Sequence, residues 1–255
     1  MCYIKSIRGD LMKKEKKYKL SKKEQPFFNF FKKIIALFLR KPKIINFNET
    51  LNPKSITVSN HFAKIGPFYL EMYYPLFTHK WGAGEMLGNF KSRFLYLRDV
   101  YYMRKLGHGK FLASIRASFE AIFSPLIYKG VKVIGTFQDM RFKNTIKESI
   151  RVLNNNVGIM IYPEDSNQGY KDVLTSFFGG FISLSKVYYK KHNEDLPVYP
   201  TYVNYKKRVI IIDKPLYVNA LLNEGVSEQQ IGEIFKEKVN NLFFNYIEKE
   251  QYKTL

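Results

Sequence analysis

Of the four histidines, at positions 61, 79, 108 and 192, His61 has the most informative surroundings. It lies in SITVSNHFAKIGP, directly after an apolar run that reads as a buried strand. Strand ends are where α/β sheets place reacting groups. An imidazole there can act as a general base, because its unperturbed pKa is ~6.5. It can equally just cap the strand end, and position alone does not separate the two roles. A second constellation is IYPEDSNQGY, where a short apolar strand runs into Glu164 and Asp165. Two carboxylates at a strand end are costly to bury alone. They imply a nearby cation, hydroxyl or set of backbone donors, or a helix cap at Asp165 or Ser166. The third is GTFQDMRFK, which sets Arg141 and Lys143 between a strand and a helix. Such a pair either holds a phosphate beside a helix N-terminus or forms a solvated basic loop.

These groups need elements to position them. Apolar runs at Ser55–Ser59, Val131–Phe137, Gly158–Tyr162, Pro197–Val203 and Arg208–Ile212 read as strands. Between and after them lie helical patterns at 68–80, 111–128, 144–153, 174–190 and 227–248. Pro125 is expected to kink or end the second of these helices. Residues 81–110 fit no clear pattern. Strands alternating with helices predict an α/β fold, a mixed and largely parallel sheet covered by helices. The chain divides at residue 45. Residues 1–45 are a basic segment with an amphipathic helix, and residues 46–255 are the folded domain. Within PFFNFFKKIIALFLRKPK (26–43), helical spacing places Phe27, Phe30, Phe31, Ile34, Ile35 and Phe38 on one face. The segment is too short and too charged to span a bilayer. It reads either as a helix in the membrane interface or as one packed on the domain with its basic face in water.

Composition narrows the partners. The net charge is +20, from 42 basic and 22 acidic residues. So large an excess implies an anionic partner: membrane, nucleic acid or phosphorylated substrate. No RNA- or DNA-binding motif is present, which disfavours nucleic acid. The single cysteine, Cys2, excludes a disulfide framework and a cysteine-based zinc site. No close His/Asp cluster suggests a metal.

Taken in order, the motifs resemble the glycerol-phosphate and lysophosphatidic acid (PlsC-like) acyltransferase superfamily. Asn60–His61 match its Asn-His pair. Gly135 and Arg141 match the ends of its Gly…Arg block, Tyr162–Pro163–Glu164 its aromatic-Pro-Glu turn, and Leu196–Pro197–Val198–Tyr199–Pro200 its late Val-Pro strand. The resemblance spans roughly residues 55–218. It implies a glycerol-phosphate-acyltransferase-like fold that binds no cofactor, with acyl-CoA or acyl carrier protein as co-substrate. The acceptor would be a lysophospholipid on an anionic membrane, with the protein peripheral on the cytoplasmic face. His61 would be the base and Glu164 and Asp165 its catalytic neighbours. Asn60, Gly135, Arg141 and Lys143 would bind substrate, with Lys64 a weaker candidate. The sequence departs from the family at Gly66, where an Asp would orient the histidine. Asp165, Glu164 or Glu71 is expected to take over that duty. A catalytically weak member that only binds lipid or acyl carrier is the alternative, and a nucleic-acid-binding protein a more distant one.

Overall fold

Apolar runs too short to cross a domain as helices must be strands buried on both faces, and such a sheet needs helices on either side. The structure is a computed structural model that describes residues 26–37, 39–63, 65–165 and 169–254. The lysine-rich residues 1–25 and Lys64 fall outside them. The chain runs α1 (Pro26–Ala36), β1 (Lys43–Asn46), β2 (Ile56–Ser59), α2 (Ile65–Tyr73), β3 (Thr78–Ala83) and α3 (Phe90–Leu95). The α3 helix continues as a π-helical stretch, Tyr96–Lys105. Then come α4 (Lys110–Gly130), β4 (Val133–Thr136), α5 (Phe142–Leu153), β5 (Gly158–Ile161) and α6 (Gly180–His192). The chain goes on through β6 (Pro197–Asn204), β7 (Val209–Ile212), β8 (Leu216–Tyr217), α7 (Val218–Asn223) and α8 (Glu228–Leu242).

The eight strands form one sheet in the order β1-β7-β6-β2-β5-β3-β4, with β8 also on β6. β2 to β6 run parallel, while β7 and β8 pair antiparallel to β6. This is the mixed, mostly parallel α/β sheet expected. Every residue of β2, β5, β6 and β7 is buried, which accounts for their unbroken apolar runs. Pro200 is tolerated in the central β6 because it falls between the β7 and β8 pairings, where its carbonyl accepts the Asp213 N–H at 2.9 Å. On α5, Ile146, Ile150 and Leu153 face the core at the spacing expected.

Four expectations need correction. The helix expected over 68–80 stops at Tyr73, and Thr78–Ala83 is a strand. Its polar letters misled, because Lys80 is buried only by pairing with the Glu71 carboxylate. Pro125 does not end α4, which continues through it to Gly130. The Ala121 carbonyl, which a residue-125 N–H would have bonded, accepts from Arg93 Nε at 2.9 Å. The helix expected from 174 begins only at Gly180. The N-terminal helix ends at Ala36, and Lys43–Asn46 pairs with β7, so the sheet reaches back inside the segment set apart as 1–45. α1 itself docks on the domain through Phe28 and a Lys32–Glu71 ion pair of 2.8 Å. Phe30, Phe31 and Ile34, on the predicted apolar face, are exposed.

Candidate functional site

β2 and β5 are parallel neighbours, with Val58 opposite Ile161. The residues that follow both strands therefore emerge side by side at the carboxyl edge of the sheet. This brings His61 against Glu164: the His61 backbone N–H donates to Glu164 Oε2 at 3.0 Å. Asn60 sets the geometry from behind. Its amide donates to the Val203 carbonyl (3.0 Å) and accepts from the Val203 N–H (2.8 Å), clamping the end of β2 to β6. The fully buried Asn60 therefore positions the turn.

The His61 ring is half-buried. It meets Tyr162 edge-on with ring centres 5.1 Å apart and stacks on Tyr170 at 5.0 Å. Its Nδ1 lies 2.6 Å from the Ala63 carbonyl oxygen. A carbonyl only accepts, so Nδ1 carries the proton and Nε2 presents its lone pair. Phe62 and Ala63 adopt positive φ (45° and 54°), which turns that carbonyl back onto the ring. Burial, reinforced by the nearby Lys105 charge, lowers the His61 pKa to about 4. The imidazole is thus neutral at physiological pH.

Among the described residues, no carboxylate occupies the position expected beneath the ring. Glu164 bonds the backbone of His61, and Glu71 is bound by Lys32 and Lys80. The Ala63 carbonyl takes that place. Gly66 is required by the same tight turn: its N–H bonds the Phe62 carbonyl (3.2 Å), and a Cβ there would drive into the His61 carbonyl oxygen.

The two adjacent carboxylates have different surroundings. Asp165 is exposed, whereas Glu164 is buried and fixed by a bridge to Phe177. Burial pushes the Glu164 pKa up to about 7, against the pull of the His61 N–H and Lys105. Its Oε1 is buried without a hydrogen-bond partner among the described residues. Lys105, at the end of the π-helical stretch, lies 5.8 Å from the Tyr170 ring centre. Desolvation lowers its pKa, while Glu164 and Asp165 oppose that shift.

His61, Glu164 and Asp165 open onto a groove of about 1190 Å³. Arg141 lines it too, with its guanidinium forked onto Asp139 (2.7 and 3.0 Å) and stacked 3.9 Å from the Phe137 ring centre. Lys143 is exposed and is not among the residues lining the groove. Gly135 serves packing: a Cβ there would stand 3.2 Å from the Gly84 Cα. Sequence reasoning missed Arg104, Lys105, Tyr96 and Tyr170. The first three come from the unplaced 81–110 region and have no motif to mark them. Tyr170 was visible only as the last letter of the Glu164 motif.

The chain matches no protein-family model and no curated protein. Among solved structures it is similar to the crystal structure of the 1-acyl-sn-glycerophosphate (LPA) acyltransferase, PlsC, from Thermotoga maritima. The two share 13% identity over 84% of this chain and 78% of that one, with a TM-score of 0.48. A likeness of that depth leaves function to be argued from the residues.

Proposed function

We propose that the chain is an O-acyltransferase that moves a fatty acyl group from a thioester donor, acyl-CoA or acyl carrier protein, to the hydroxyl of a lysoglycerophospholipid. It would work peripherally at the cytoplasmic face of an anionic membrane. One observation carries this reading: His61 and Glu164, 103 residues apart, meet at the carboxyl edge of the sheet, in a groove that also takes Arg141. These are the motif residues whose order in the sequence resembles the acyltransferase superfamily, and their convergence on one groove supports a shared task.

The chemistry follows from the tautomer. Nε2 of neutral His61 accepts the acceptor's hydroxyl proton as that oxygen attacks the thioester carbonyl carbon. The tetrahedral intermediate collapses, the C–S bond breaks, and the departing thiolate recovers the proton from His61. An ester and a free thiol result. Throughout, the Ala63 carbonyl keeps Nδ1 protonated and the ring in place. Lys105, Arg104 and Arg141 are the cations in the groove available to a phosphate-bearing acceptor, which would have to draw Arg141 from Asp139.

A second reading has one observation behind it. A carbonyl beneath Nδ1 stabilises an imidazolium less than a carboxylate does, and loss of the carboxylate in a serine-protease triad costs about 10⁴ in kcat. A weakly active lipid- or acyl-carrier-binding protein fits that feature. The deciding experiment is labelled acyl transfer to lysophosphatidic acid in liposomes with each donor, run for wild type and His61→Ala. Product that falls ~10²–10⁴-fold in the variant supports the base assignment. Equal product from both proteins removes His61 from the mechanism. No product from either protein, with liposome binding intact, favours the binding role.

A further inference from the structure

Helix α4 divides sharply along its length. Ala113, Ala117, Ala121 and Ser124 are buried, forming a small-residue stripe that packs on α3 and its π-helical continuation. The opposite side carries Phe111, Ile115, Phe119, Ile122, Phe123 and Leu126, all exposed; Phe111 is 81%, Phe119 65% and Phe123 60% accessible. Their three- and four-residue spacing makes one continuous apolar stripe over the whole helix. That is far more large apolar surface than a soluble face needs.

We propose that this face of α4 docks on an anionic phospholipid bilayer, lying in the interface and not crossing it. The inference deepens the membrane-surface reading above and rests on it. Charge selects the occupant. Lys110, Arg116 and Lys129 are exposed along the helix, and its one acidic residue, Glu120, is turned inward to accept from the Tyr102 hydroxyl at 2.6 Å. With a net charge of +20, a second copy of the chain would be repelled where anionic lipid is attracted. The surface continues at the carboxyl end of α4, where the Phe28 ring of α1 occupies the space a Gly130 Cβ would take. There α1 adds its own exposed Phe30, Phe31 and Ile34, with exposed Leu37 just beyond its end.

The 21-residue α4 is long and apolar enough to span a bilayer by length and composition. Its contacts forbid it. Spanning would carry the packed π-helical stretch, with Arg98, Asp99, Arg104 and Lys105, into hydrocarbon. That stretch also lines the groove with Tyr96 and Lys105, so a bilayer on the outer face of α4 lies one helix away from the site.

The test is sedimentation of the protein with phosphatidylglycerol-containing vesicles, comparing wild type, Phe119→Glu/Phe123→Glu, and Val187→Glu at an exposed position of α6. Losing two phenylalanines from the lipid contact should weaken partitioning about 100-fold or more, with Val187→Glu unchanged. Phe119→Trp, which needs no refolding around a charge, should shift its emission to the blue on vesicles and be quenched by brominated acyl chains. Unchanged partitioning of the double variant, or an introduced indole that stays unquenched on bound protein, overturns the proposal. A wild-type oligomer that ignores vesicles and is split by the double variant overturns it in favour of self-association. Acyl transfer to a short-chain acceptor dissolved as monomers separates this claim from the catalytic one. The double variant should retain that reaction, and its absence from both proteins with α4-dependent vesicle binding would fell only the acyltransferase reading.

Discussion

Ala63 gives His61 an acceptor with a fixed direction but only a partial charge. The carbonyl sets the tautomer as firmly as a carboxylate would, yet contributes little to holding a proton on Nε2, which agrees with a histidine pKa of about 4. Placing an Asp at position 66, where the resembled superfamily carries one, should therefore not rescue a missing interaction. The new Cβ collides with the His61 carbonyl, and the backbone there has no slack. Gly66→Ala and Gly66→Asp are both expected to cost about 2–4 kcal/mol in denaturant unfolding, with no gain in rate. A rise in kcat for Gly66→Asp would show that the turn can open. Glu164 offers a second check. Its folded pKa of about 7 lies above its unfolded value, so the folded state binds the extra proton between about 4.5 and 7, and stability falls as pH rises through that window. Glu164→Gln keeps an acceptor for the His61 N–H and removes the charge. It should be more stable than wild type at pH 8, by on the order of 2–3 kcal/mol, and indistinguishable from it below about pH 4.5. Melting curves across that range decide it.

At the level of elements, the same physics that places the site explains which parts were readable in the sequence. β2, β5, β6 and α5 follow from apolar runs and helical spacing, and His61 and Glu164 come with them, because a parallel pair delivers both of its carboxyl ends to one edge. β3 was hidden because THKWGA is buried with its charges neutralised by a residue on α2, a long-range fact that no local pattern carries. Lys105 was hidden for a related reason: the π-helical stretch reaches the groove only once α4 has packed behind it. Where α4 passes through Pro125, the Arg93 side chain supplies the donor that proline lacks. Arg93→Ala should therefore cost about 1–2 kcal/mol in wild type, where it orphans the Ala121 carbonyl. In a Pro125→Ala background the helix supplies its own N–H, and the cost should shrink. A double-mutant cycle reads the difference as a coupling energy, and strict additivity would mean that Arg93 stabilises α4 by packing alone.

The whole molecule combines a large positive charge with two helices, α1 and α4, that hold apolar side chains out to solvent. The proposed association with an anionic bilayer would then have two separable parts. The electrostatic part works over a Debye length of about 10 Å at 0.1 M salt and fades as salt rises. The apolar part depends on contact and is largely indifferent to salt. Raising NaCl from about 0.05 to about 0.5 M should weaken binding to phosphatidylglycerol-containing vesicles by about tenfold or more and leave a floor. The Phe119→Glu/Phe123→Glu variant should lose that floor while keeping a salt-dependent component at low ionic strength, because its lysines are untouched. A wild type whose binding vanishes completely at high salt would show a purely electrostatic attachment, with the apolar faces never reaching the acyl chains. A floor that survives the double variant would move the apolar contact off α4, with the exposed Phe30, Phe31 and Ile34 of α1 and the adjoining Leu37 the next candidate. Where wild type keeps a floor, its loss or survival in the double variant decides whether α4 carries the apolar contact.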